Sequence, residues 1–369
     1  MANLEIVVDG DGHVFEDQEG IRKHMRGSIA NSHTVKMLGV FPALDHLHHG
    51  LNTIPPGAFG RGKDGVWRDP GPSGWVDFLD KAGIETTVLY PTAGLAYGRI
   101  VDTDYAIEVC RGYNDWLTTT YSQVNSRFKG MALIPMQEPQ AAVEELRRAV
   151  LELGMTGAML PSTGLPTHLG AKAYWPVYEE AQRLGCSLAV HGGAHQDLGM
   201  NSLNVFAAVH ALGHPLGIMI GLAGMVFNGV FDKFPTLKVA YLEGGVGWFL
   251  MALERFAGSH WAFTPVDPRG ELVQLAEGQT LDAYVIDLCK KGRITIGVEG
   301  DEPLLAKGVQ MVGREAFMYS SDFPHEVNLE SIRHEIEELL EIEDLTSEDK
   351  EAILHKNALS FYNLNRSET

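Results

Sequence analysis

The chain has 369 residues, 45% of them hydrophobic and 21% charged, which is enough to bury a large core without staples. Its 48 acidic residues against 29 basic ones leave a formal charge of −19, a surface that repels phosphate backbones and anionic lipid. The expected partner is therefore a small-molecule substrate rather than nucleic acid or a membrane. Cys110, Cys186 and Cys289 form no Cys-x-x-Cys pair and are odd in number, which suits a reducing cytoplasm. Met1 to Asp9 lacks the pattern of a signal peptide, and no uninterrupted apolar run looks long enough to span a bilayer, so a cytoplasmic location is expected.

In chain order, short apolar runs occur at Glu5–Asp9, Glu85–Tyr90, Gly130–Pro135, Thr156–Pro161, Ser187–His191, Lys238–Glu243, Arg293–Val298 and Phe317–Ser321. Most are continuously apolar rather than alternating, as expected for strands buried on both faces of a parallel sheet. Between them, Gln140–Leu153, Trp175–Leu184 and Trp248–Phe256 carry helical periodicity. Alternating strands and helices make right-handed βαβ units, and eight strands over this length predict a single (β/α)₈ barrel spanning residues 1–369. Two irregular stretches, residues 42–73 and 258–280, read as insertions, the first as a lid over the barrel mouth. Residues 340–369 read as a C-terminal helical tail, and the acidic run from Glu335 to Glu351 as a solvated helix face and linker.

The chemistry-bearing residues cluster at the predicted strand ends. Asp11 and His13 follow the first strand as Asp-Gly-His, and a spacing of two on an extended chain points both side chains the same way. A carboxylate plus an imidazole suits Zn²⁺, Mn²⁺ or Fe²⁺. His191 closes the fifth strand before two glycines, and Asp322 follows the eighth in Tyr-Ser-Ser-Asp-Phe-Pro-His. Each alone has a bland reading, a turn cap, a backbone-bonded histidine or an N-cap. Four together at C-terminal strand ends predict a metal site of Asp11, His13, His191 and Asp322.

These segments resemble the amidohydrolase-related group that includes the aminocarboxymuconate-semialdehyde decarboxylase type. The similarity lies in Asp-Gly-Asp-Gly-His-Val, Val-His-Gly-Gly and Tyr-Ser-Ser-Asp-Phe-Pro-His, with connecting segments Leu133–Glu138, Ala141–Gly154 and Asp232–Gly247. The resemblance implies that Asp11 and His13 are the first-strand ligand pair, His191 the fifth-strand ligand, and Asp322 a ligand that also shuttles a proton. It implies one divalent ion, zinc first with manganese or iron as alternatives, because the fourth strand ends in Leu160-Pro161-Ser162 with no lysine to bridge a second ion. Relatives of this group often form dimers or larger assemblies, so a homo-oligomer is in keeping with it.

One position departs from the pattern. Decarboxylating relatives carry a histidine after the sixth strand, where this chain reads Leu242-Glu243-Gly244-Gly245. A carboxylate there repels an anionic substrate unless it is protonated or paired. His210 and His214, four apart in the segment after the fifth strand, share a helix face and could replace that histidine, orient Glu243, or equally be packed helix histidines; Glu243 and His210 are expected to position the substrate or assist proton transfer, while His214, just before Pro215, is expected to end a turn. Glu299 reads equally as a mouth residue or a solvated loop acid. His46, His48 and His49 shape the lid rather than bind metal, and Trp67, Trp75 and Tyr90 default to core packing.

Three functions are compatible with these residues. The first expectation is a hydrolase of a small amide, lactone or carbonyl compound, with a metal-activated water and Asp322 as general base and acid. The second is a non-oxidative decarboxylase of a small aromatic or unsaturated acid, with Asp322 as proton donor. The third is a barrel that binds without catalysis.

Overall fold

The computed structural model describes residues 6–30, 39–47, 69–325 and 327–364. Among these, eight strands form one sheet in sequential order, every neighbouring pair parallel. They are β1 (Val7–Val14), β2 (Ile84–Pro91), β3 (Phe128–Leu133), β4 (Gly157–Pro161), β5 (Ser187–His191), β6 (Lys238–Leu242), β7 (Ile294–Val298) and β8 (Phe317–Tyr319). Each predicted run contains or overlaps one of these strands. The longer helices alternate with them: α1 (Gly71–Ala82), α2 (Thr103–Leu117), α3 (Pro139–Leu151), α4 (Trp175–Leu184), α5 (Phe206–Phe227), α6 (Gly247–Phe263), α7 (Leu281–Lys290), α8 (Leu305–Val312) and α9 (Leu329–Glu341). The result is a nearly closed (β/α)₈ barrel.

The first strand is longer than the sequence pattern implies. Asp11 and His13 do not follow β1; they lie inside it, because the strand continues past two glycines. Between Asp9 and Gly12 the register against β2 slips, so β1 carries one residue more than its partner, a bulge that re-aims its side chains. Gly12 is required by close approach: a Cβ there would fall 2.5 Å from Thr87 Oγ1.

The sheet closes where β8 meets β1, and Asp9 is the clasp. Its fully buried carboxylate accepts hydrogen bonds from Thr87 Oγ1 at 2.6 Å on β2, and from the Ser321 amide and hydroxyl at 2.8 and 2.9 Å after β8. Two backbone bonds continue the seam toward the mouth, Asp322 N to Asp11 O at 2.9 Å and His13 N to Phe323 O at 2.7 Å. Burial pushes the Asp9 carboxyl above its ordinary range, although the bonds from Thr87 and Ser321 pull the other way.

Four expectations are corrected. Residues 258–280 are not wholly irregular: α6 runs through Phe263, beyond the Gly258-Ser259 pair that interrupts its apolar pattern. His214 does not end a turn, since α5 continues through Pro215 to Phe227. At 22 residues and mean hydropathy 1.5, α5 is also long and apolar enough to cross a membrane by length and composition, which the interrupting histidines and proline had concealed. In the barrel it lies against β5 and β6, with Val209, Ile218, Leu222 and Met225 buried. Glu335 does not lie on a solvated face: it is buried on α9, where desolvation, with Glu299 and Asp301 nearby, pushes its carboxyl up to about 8.

The tail expected from residue 340 is helical as far as Phe361 and packs on the barrel, with Tyr362 Oη donating to Gly10 O at 2.8 Å. Of the lid, residues 48–68, with His48, His49 and Trp67, lie outside the described residues. His46 contacts Leu203 O through Nε2 at 2.6 Å, Trp75 stacks edge-on against Phe323, and the Tyr90 hydroxyl pairs with that of Tyr362. Glu299 is exposed just beyond β7.

Removing the clasp has a measurable consequence. Asp9→Ala leaves buried Thr87 and Ser321 donors unsatisfied and should lower unfolding free energy by about 3 kcal/mol in a denaturant titration. An unchanged midpoint would show that the seam closes without it.

Candidate metal centre and active site

At the mouth, β1 and β5 bring three buried side chains together. Asp11 Oδ1 lies 3.5 Å from His13 Nε2 and 3.4 Å from His191 Nε2. The tautomers are set from behind: His13 Nδ1 donates to Pro91 O at 2.8 Å, and His191 Nδ1 to Gly192 O at 3.1 Å. Each ring therefore turns an Nε2 lone pair to the mouth, the usual arrangement behind a metal-binding histidine. Both Asp11 oxygens and both Nε2 atoms are buried with no hydrogen-bond partner. Buried polar atoms without partners are rare, and these four, gathered at the mouth, fit a cation-binding site.

Burial and the neighbouring charges act differently on the three groups. Burial pushes the Asp11 carboxyl up to about 6, against the lowering influence of His191. Burial, reinforced by His325, drives His13 well below the usual imidazole range, so it is neutral at physiological pH. Burial alone would lower His191 too, but the Asp11 and Glu243 carboxylates outweigh it and raise it.

Asp322 joins this group through His13, with Nε2 3.4 Å from Asp322 Oδ1. The metal-competent atoms fall into two overlapping sets, Asp11–His13–His191 and His13–Glu243–Asp322–His325, each with its atoms within 4.8 Å of one another. The four expected ligands are thus neighbours, with Asp322 on the side nearer Glu243. His325, which sequence reasoning quoted in its motif but gave no role, donates from Nδ1 to Asp322 Oδ1 at 2.6 Å and meets Thr92 Oγ1 through Nε2 at 2.9 Å. Its spacing of three from Asp322 was the available signal.

Glu243 sits just beyond β6 and is surrounded by imidazoles: His214 Nε2 at 2.9 Å, His191 Nδ1 and His325 Nδ1 at 3.6 Å each, and His13 Nε2 at 3.9 Å. Burial would raise its carboxyl, but His214 and His191 outweigh that and hold it well below the usual range. His214, given less weight than His210 from sequence, makes the short contact. His210 lies one turn earlier, its ring 4.7 Å from that of His214, and burial pushes its imidazole down to about 4. Glu243 and Asp322 share one more property: both have left-handed backbone, with φ of 60° and 52°.

The amidohydrolase family profile matches residues 8–364. The chain belongs to the amidohydrolase family. It is an enzyme of that superfamily, of the hydrolase or carboxy-lyase kind. This amidohydrolase is 25% identical over 296 residues to 2-amino-3-carboxymuconate-6-semialdehyde decarboxylase of Dictyostelium discoideum, covering 78% of the chain and 76% of the relative. It is 27% identical over 311 residues to γ-resorcylate decarboxylase of Polaromonas sp. strain JS666, covering 79% and 87%. In fold it is similar to 5-carboxyvanillate decarboxylase of Novosphingobium aromaticivorans, solved with manganese and 4-hydroxy-3-methoxy-5-nitrobenzoic acid (TM-score 0.72, 17% identity, 98% and 97% of the two chains). Another similar fold is the dihydroxybenzoic acid decarboxylase of Polaromonas sp. JS666, solved with manganese and 2-nitroresorcinol (TM-score 0.63, 19% identity, 99% of each chain).

The geometry sets two expectations for this amidohydrolase. His191→Ala should bind less than about half an equivalent of divalent metal while keeping its circular dichroism, since the fold does not depend on that ring. Because Asp11 holds its proton below about 6, a binding ion must displace it there. Affinity for Mn²⁺ should therefore weaken as the pH falls through about 6, about tenfold per unit from the Asp11 proton alone, with the raised His191 imidazole adding to the loss. An affinity independent of pH over that window would remove Asp11 from the ligand set.

Proposed function

We propose that this amidohydrolase is a metal-dependent, non-oxidative decarboxylase of a small aromatic or unsaturated carboxylic acid. The observation that carries the reading is its relationship, over more than three quarters of the chain, to decarboxylases of such acids. The hydrolase expected first gives way, because none of these relatives is named for hydrolysis. The non-catalytic barrel is set aside with membership in an enzyme superfamily.

Asp11, His13, His191 and Asp322 would hold one divalent ion, manganese ahead of zinc, since manganese accompanies the same fold in the two decarboxylase structures. When bound, the ion would grip the substrate carboxylate or an adjacent hydroxyl and draw electron density from the ring. Asp322 is the proton donor: as the bond to the carboxylate carbon breaks and CO₂ leaves, its proton passes to the vacated carbon. His325, bonded to Asp322 on one side and Thr92 on the other, returns a proton to that carboxylate. Glu243 accepts a hydrogen bond from a substrate hydroxyl. Its pairing with His214 answers the objection that a bare carboxylate would repel an acid. His210, neutral beside His214, supports that ring from the preceding turn.

The test is product analysis. Manganese-loaded enzyme with hydroxylated benzoic acids in D₂O should release CO₂ and leave deuterium at the vacated carbon. Oxygen-18 from labelled water in the product, without CO₂, would return the protein to the hydrolases. Asp322→Asn should lower kcat roughly a thousandfold, the scale of a lost general acid. Glu243→Ala should lower it about tenfold, as for a residue supporting the reacting groups.

A further inference from the structure

Glu243 stands where imidazoles from four elements meet, yet one contact is much shorter than the rest. His214 Nε2 lies 2.9 Å from Oε2, while the other three rings stand at 3.6 to 3.9 Å. His214 comes from the middle of α5, and on its far side Nδ1 lies 3.2 Å from Nε2 of His195, in the loop after β5. Both rings are buried, at 8% and 3% exposure. The 2.9 Å approach of His214 Nε2 to Glu243 Oε2 is a close contact rather than an aligned hydrogen bond, and the ring is held from its other nitrogen, where Nδ1 meets His195 Nε2 at 3.2 Å and His210 O at 3.4 Å.

The surrounding backbone keeps room for this pair. A Cβ on Gly192 would fall 2.5 Å from Cδ2 of His214, and one on Gly213 would fall 2.2 Å from Cδ2 of His195. Gly213 is interior to α5, where glycine costs about 1 kcal/mol relative to alanine. A helix that accepts this cost beside a buried imidazole reserves the space for that ring. The His195 amide also donates to Leu44 O at 2.8 Å, so residues 42–47 of the first insertion hold the outer end of the chain of contacts.

We propose that His214, backed by His195, is a positioning residue that aims the Glu243 carboxylate into the mouth, with Gly192 and Gly213 as the cradles that seat the two rings. The inference rests on the mouth being the active site, and it holds whichever bond is broken there. The helix face thus supplies from outside the sheet the imidazole that the end of β6 lacks.

Three variants test this in the manganese-loaded enzyme: His214→Leu, His214→Gln and His195→Leu. His214→Leu and His195→Leu should keep the metal and lose kcat roughly tenfold to a hundredfold with KM little changed, the scale of a lost outer hydrogen-bond partner. His214→Gln, whose side-chain amide can donate in place of Nε2–H, should recover most of the loss. A crystal structure of His214→Leu should show the Glu243 carboxylate turned from its position in the parent enzyme. An unchanged kcat in His214→Leu, no recovery in His214→Gln, or a Glu243 that stays in place would each overturn the proposal. Should His214→Leu not fold, His195→Leu is read by the same two measurements. If the parent enzyme decarboxylates nothing, the functional reading fails, and the crystallographic comparison still decides this one.

Discussion

The closure of the sheet between its first and last strands is the constraint on which the site depends. Asp11 and His13 ride on β1, and Asp322 follows β8, so their approach is a property of the seam rather than of either strand. Asp9 holds that seam by joining β2, β1 and the turn after β8 through one buried carboxylate. Its ionised form is disfavoured by burial and favoured by its donors, and the hydrogen bonds are what make the arrangement tolerable. Asp11 stands two residues further along β1, and Asp322 directly follows Ser321.

Much of the site was legible because it is local. The eight apolar runs, the Asp-x-His spacing, the histidine closing β5 and the aspartate after β8 are each visible within a few residues. The barrel then dictates that strand ends face a common mouth. What remained hidden depends on contacts between distant segments. His214 reads as a turn residue beside Pro215 until α5 is seen to run through it. Asp9 reads as the last polar residue of a short strand until β8 arrives beside it. Glu335 looks like one more acid in an acidic run, and only the packing of α9 shows that it is inside.

The departure at Glu243 shows how a site can change one residue and stay coherent. A carboxylate at the end of β6 would be a liability beside two other acids if it stood alone. Here it is surrounded by imidazoles from β1, β5, α5 and the turn after β8, one of them at 2.9 Å and three at 3.6 to 3.9 Å, so its charge is not left alone to repel a ligand. Judged at one position, the sequence argues against decarboxylation; judged with its helix-borne partner, that objection loses its force.

The left-handed backbone at Glu243 and Asp322 carries a separate consequence. A side chain at such a position costs about 1 kcal/mol or more that glycine would not incur. Both acids occupy conformations in which a chain selected only for durability would have settled on a smaller residue. The mouth therefore carries local backbone strain at two points, each of which a glycine would relieve at the loss of its carboxylate.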